Sequence, residues 1–149
     1  MRILIEEDNF DKVRKKIKEN KDKEIIFTSN DDELNRKILE KEKINILLLK
    51  QKERRDKAKQ RNSGLDSIMA KLAKKNNIKI GIYFDEILEA RDKEKSEILA
   101  RVRQNVKLCN KNKLRIKFII IDEKNARNEY DKKALGVLFG MSTQMVKDL

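Results

Sequence analysis

Three groups of side chains in this sequence have the types and spacing for chemistry: paired carboxylates, a dense run of cations, and a serine-glycine turn. Asp85, Glu86 and Asp122 each follow a short apolar run. Hard oxygen donors gathered that way suit magnesium, and with it a metal-dependent phosphoesterase or nuclease. The same residue types are also ordinary helix starts. Histidine is absent from all 149 residues, and Cys109 is the single cysteine. Imidazole bases, zinc sites and thiolate clusters are thereby excluded, leaving carboxylates with a hard metal, or lysine, for any reaction of this chain alone. Cys109 falls on the apolar side of a helical pattern, where an inert buried thiol is expected.

The cations concentrate in "KQKERRDKAKQR", Lys50 to Arg61, where seven basic residues, Arg54, Arg55, Lys59 and Arg61 among them, face only Glu53 and Asp56. Ala58 is the lone apolar residue there, so the segment has no face to bury and reads as a solvated loop or an extension ordered by an anionic partner. "RNSGLD" follows. Ser63 to Asp66 has the form of a capping box, with Ser63 as N-cap and Asp66 at the third helical position, and the Ser63→Ala substitution would then cost about 1 kcal/mol. A helix start also offers free N–H groups to phosphate, and Arg61 arrives just before it. In "RDKEKSEILARVRQNVKLCNKNK" the apolar stripe Ile98, Leu99, Val102, Val106 and Cys109 extends back to Lys95 and Arg91, while Arg101 and Arg103 flank it on opposite sides. A helix starting only near Lys95, with Arg91 in a loop, fits equally well.

These groups must be positioned by a regular alternation. Strand-like runs lie at Ile3 to Ile5, Glu24 to Phe27, Ile44 to Leu49, Ile78 to Phe84 and Arg115 to Ile121, and segments of helical spacing lie between them. The order predicts an α/β protein of parallel β-α repeats in one domain, residues 1–149. Five repeats make either a reduced or partial TIM-barrel-like fold or an open doubly wound sheet, and periodicity does not choose. Both place ligands at the carboxyl ends of the strands, hence in Thr28 to Asp32, Lys50 to Ser63, Asp85 to Asp92 and Asp122 to Asn128. The end of the chain reads as a helix through Leu138, a stop near Gly140 and a short helix capped by Ser142.

The balance of 38 basic against 26 acidic residues, net +12, favours an anionic partner, above all nucleic acid. "MRILIEED" turns acidic too soon for a signal peptide and no run approaches a membrane span, so a cytoplasmic protein is expected.

"RNSGLDSIMAKLAKKNNIKIGIYFDEIL" followed by "ILARVRQNVKLCNKNKLRIKFIII" resembles protein component 3 of archaeal and eukaryotic ribonuclease P, and "KALGVLFGMSTQMVKDL" is similar to that family's closing helix-glycine-helix. The resemblance implies a TIM-barrel-like fold and a non-catalytic subunit that helps a catalytic RNA remove the 5′ leader of precursor tRNA, beside a second, smaller protein subunit. Magnesium would belong to the RNA, with no cofactor on the protein. The matching positions are Arg61, Ser63, Gly64 and Leu65 in the turn, Lys71 and Ala73 on the next helix, and Arg101, Arg103 and Asn105 on the later one. Where family members commonly carry a histidine, this chain has Ser67. Arg61→Ala and Arg101→Ala are then expected to weaken assembly with little change in thermal stability. A generic basic RNA-binding protein is the remaining alternative.

Overall fold

The computed structural model describes residues 1–149. Its elements are β1 (Arg2–Glu6), α1 (Phe10–Glu19), β2 (Glu24–Thr28), α2 (Asp32–Lys41), β3 (Ile46–Leu49), α3 (Ser67–Lys75), β4 (Lys79–Tyr83), α4 (Phe84–Glu89), α5 (Asp92–Asn112), β5 (Ile116–Ile119), α6 (Glu129–Leu138) and α7 (Thr143–Lys147). α1 and α2 start where a side chain takes up the first free N–H groups. Asn9 accepts from the Lys12 N–H, and Asp31 from those of Glu33 and Leu34.

All five strands pair in parallel in the order β1-β2-β3-β4-β5. A doubly wound sheet reverses its strand order at a switch point; here each strand lies beside its predecessor, which is the winding of a barrel. β1 and β5 are not paired, so the barrel is partial.

The alternation of buried side chains shows the same thing. Ile25, Phe27, Leu47, Leu49, Ile80, Ile82 and Ile116 join the large core with residues of every long helix, such as Val13, Ile38, Ala73 and Val102. The intervening Ile26, Ile46, Leu48 and Ile119 form a second cluster that contains no helical residue. Strand residues can be buried without helical cover only if the sheet curls over its own face. Gly81 permits the curl: a Cβ there would stand 2.9 Å from Ile46 Cγ2 and 3.1 Å from Ile119 Cγ1.

At the closing end, Gly140 (φ +87°) terminates α6, and Ser142 Oγ accepts from the Met145 N–H to start α7, as the sequence suggested. α7 is tied to β5 where Lys117 Nζ donates to the Asp148 carbonyl. α6 turns Tyr130, Val137 and Leu138 to solvent, Tyr130 at 85% exposure. No helix is long and apolar enough to cross a membrane.

Candidate functional site

The β3–α3 connection, Lys50 to Asp66, lies at the carboxyl ends of the strands and carries the cation run. Two successive N–H groups near its start are held by a buried carboxylate: Glu86 Oε1 accepts from Gln51 N at 2.7 Å and Oε2 from Lys52 N at 3.1 Å. Burial pushes the Glu86 carboxyl up from its ordinary value, against the pull of those two N–H groups.

The loop is then closed by α5. Arg101, only 3% exposed, spreads its guanidinium over three acceptors: Asp56 Oδ1 at 3.0 Å, the Gln51 carbonyl at 3.0 Å and the Arg54 carbonyl at 2.8 Å. One turn further on, Asn105 Nδ2 and Gln51 Nε2 both donate to the Ser63 carbonyl, at 3.0 and 2.8 Å. Gln104 Nε2 reaches the Arg61 carbonyl and Ser63 Oγ, each at 3.1 Å. Arg54 makes the final tie, a fork onto both Asp32 oxygens at 3.0 and 3.1 Å that lies over Gly64.

Three expectations are corrected by this arrangement. Ser63 is not the helix cap: Gly64, at φ +79°, turns the chain first, and Asp66 caps α3 by accepting from Met69 N at 2.8 Å. Ser63 is instead buried, its carbonyl accepting from Asn105 and Gln51 and its Oγ from Gln104, so Ser63→Ala removes only the hydroxyl contacts with Gln104 and Leu65 and no cap. Arg101 and Asn105 point inward, so they act on the loop and present no surface to RNA or to a partner protein. The carboxylates of the phosphoesterase reading are likewise engaged. Asp85 Oδ2 accepts from Ile121 N and Asp122 N, both at 2.9 Å, and Oδ1 from Asn125 Nδ2 at 3.1 Å, pinning the end of β5. Their lone pairs point at N–H groups, and no cluster of three metal-ligating side chains forms.

The exposed cations of this loop are not spread along the whole carboxyl edge. Near β1 and β2 the carboxyl edge is lined by Glu6, Glu7 and Asp8, a poor seat for phosphate. The cations converge instead on the outer flank of α5, where Arg61 from the loop meets Arg103 and Lys107 in a groove of about 490 Å³ floored by Gln104 and Asn110 and closed by Phe139 and Gly140. None of the three is in an ion pair. Arg103 and Lys107 are four residues apart on one helix face, a signal the sequence already carried for Lys107, which sequence reasoning missed. Arg55 and Lys59 are exposed on the loop outside the groove. Lys71 on α3 and Arg91 at the N-cap of α5 are exposed elsewhere, and Lys95 is half-buried. The Cys109 thiol is buried and pushed up to about 12 by desolvation.

Asp56 supplies a pH test of the clasp. Its carboxyl is held below the usual range first by the Arg101 hydrogen bond and then by the Asn62 N–H. A depressed folded-state pKa gives stability that is present above the unfolded value and lost as pH falls through the folded one. Amide exchange at Asn62 should therefore rise several-fold as pH falls below about 4 after correction for intrinsic rates. In the Asp56→Asn variant that acid-dependent rise should be absent; the same rise in the variant would refute the role of Asp56.

A sequentially wound, partial β/α barrel with a pinned basic loop and a cationic groove on its flank defines the class. No protein-family profile matches the chain. Ribonuclease P protein component 3 of Methanococcus maripaludis strain C6 is 30% identical over 111 residues, covering 73% of this chain and 45% of the relative. The strain C7 protein is 29% identical over the same length. A chain in the cryo-EM structure of archaeal ribonuclease P with mature tRNA superposes with a TM-score of 0.78 at 20% identity, over 99% of this chain and 62% of that one. The chain is thus a relative of ribonuclease P protein component 3, as its serine-glycine turn and Arg-x-Arg-x-Asn helix imply. It spans about half the length of the curated relatives it matches.

Proposed function

We propose that this chain is a protein subunit of ribonuclease P, the ribonucleoprotein that matures tRNA by endonucleolytic removal of the 5′ leader. It binds and stabilises the catalytic RNA in an archaeal-type, cytoplasmic assembly. The observation that carries this reading is the groove of Arg61, Arg103 and Lys107, three unpaired cations on a surface whose loop is fixed from beneath by Arg101 and Asn105. Such a groove offers charge to phosphates in a rigid geometry, which is what a stabilising subunit contributes. Precursor tRNA is met indirectly, through the RNA subunit, and magnesium belongs to the RNA. A second, smaller protein subunit is part of the proposal; the exposed face of α6, with Tyr130, Val137 and Leu138, offers apolar area to a protein and nothing to phosphate.

The test is reconstitution with the RNA subunit. The Arg61→Gln/Arg103→Gln/Lys107→Gln variant should keep its melting temperature and lose at least tenfold in affinity for that RNA. The slope of log affinity against log salt should fall by about one per cation removed. Unchanged affinity would reject the groove. Leader cleavage by the protein with magnesium and no RNA would reject the subunit reading in favour of a phosphoesterase, and equal binding to any RNA without stimulation of the ribozyme would leave a generic RNA-binding protein.

A further inference from the structure

Where a helix leads into a strand, the end of the helix and the connection after it carry paired basic residues in all four cases. Lys21 and Lys23 precede β2, Lys41 and Lys43 precede β3, Lys74 and Lys75 precede β4, and Lys113 and Arg115 precede β5. They are far apart in the chain. Because every strand is parallel to its neighbours, all four connections fall on one edge of the sheet, the amino edge, opposite the loop that holds Arg61.

Two grooves open there. One of about 610 Å³, between the ends of α1 and α2, is lined by Lys18, Lys21, Lys23, Lys41 and Lys43. Its only carboxylate, Glu42, is engaged by Arg14 at 2.9 Å, and none of the five lysines is in an ion pair. The other, about 690 Å³, holds Lys74, Lys113 and Arg115, whose polar contacts are to neutral groups: Lys74 Nζ donates to the Lys113 carbonyl at 3.1 Å and Arg115 to Asn77 Oδ1 at 3.0 Å. On the same edge Glu24 is taken by Arg2 at 2.7 Å. Lys117 is held below its ordinary value by burial first and by neighbouring Lys79 second, against the opposing pull of Asp148 and Glu24.

Lysines at helix carboxyl ends also offset the helix dipole, but that need is small. The ends of α1 and α2 together present roughly one elementary negative charge. Five ammonium groups exceed it several-fold.

We infer that the amino edge of the sheet is a second RNA-backbone surface, one that engages phosphates of a helical RNA segment across the α1–α2 groove while the α5 flank holds another segment. Lysine, a flexible point charge, suits sequence-independent phosphate contact, whereas the planar forks of Arg61 and Arg103 suit a fixed one. The inference rests on the RNA-binding reading above, but its test does not require the ribozyme.

The experiment measures binding of a labelled RNA hairpin to the whole chain across a salt series, for wild type, for Lys21→Gln/Lys23→Gln/Lys41→Gln/Lys43→Gln, and for the α5-flank triple variant. The amino-edge variant should lose at least tenfold in affinity, with its salt slope reduced by about three to four. Independently of any variant's folding, acetylation of wild-type Lys21, Lys23, Lys41 and Lys43 should slow at least threefold when the hairpin is bound. If the variant keeps its affinity and slope, or those lysines stay as reactive with RNA as without it, the inference fails. A lowered melting temperature with unchanged RNA binding would show that the lysines serve only the helix ends. Binding to anionic phospholipid vesicles but not to the hairpin would replace RNA by a membrane. Failure of the ribozyme reconstitution with hairpin binding intact would strike the subunit reading and leave this surface standing.

Discussion

Replacing Arg101 with alanine should lower stability by about 3 kcal/mol and the melting temperature by roughly 10 °C. The guanidinium is nearly wholly buried and serves Asp56 and the carbonyls of Gln51 and Arg54 at once. Its loss leaves the Arg54 carbonyl without its side-chain donor and the Gln51 carbonyl with only a long 3.5 Å contact from the Arg54 N–H, and it frees the middle of the Lys50–Asp66 loop from α5. Asp56, a third exposed, regains water, which keeps the cost at the lower end of the range for a broken buried pair. The sequence-based expectation that this variant would be thermally neutral is therefore reversed: activity should fall because the loop carrying Arg61 is no longer fixed. Arg101→Lys should recover little, since one ammonium cannot span three acceptors. Thermal melts and amide exchange across residues 50–66 decide the matter. A melting temperature within a degree of wild type, with unchanged exchange in the loop, would refute the clasp.

Gly64→Ala should cost about 2 kcal/mol through two separable effects. At φ +79° any Cβ is strained, by about 1 kcal/mol for alanine. The added carbon would also stand 2.5 Å from Arg54 Nη2 and 2.8 Å from its Cζ, so the guanidinium must leave its seat and give up its fork onto Asp32. The two effects separate in a double-mutant cycle. In an Arg54→Ala background only the backbone strain remains, and the coupling energy should be about 1 kcal/mol. Additive costs would show that Arg54 yields without loss.

Strand positions, helix spacing and the glycine-stop ending were legible because they are local. Continuous apolar runs such as "ILLL" place both faces of a strand under cover, and "GMS" places a left-handed glycine before a capping serine. The choice between Ser63 and Asp66 as cap was not local, since both have the right side chain. Gly64 decided it by turning the chain before the helix could start. Spacing correctly set Arg101 and Arg103 on opposite sides of α5, yet which of them faced a loop required knowing that residues 51–63 fold back onto that helix.

The sequence by itself determined the repeating β-α order, the excess of positive charge, the exclusion of histidine chemistry and of thiolate clusters, and the kinship with ribonuclease P protein component 3. Tertiary structure alone decided that the sheet winds in one sense as a partial barrel, that Asp85 and Glu86 are anchors for strand ends, and that Arg61 joins Arg103 and Lys107. It also decided that four separate pairs of basic residues share one edge. Composition and periodicity report what each short segment prefers, whereas a groove is a relation between segments distant in sequence, set by strand order and by which buried hydrogen bonds are satisfied.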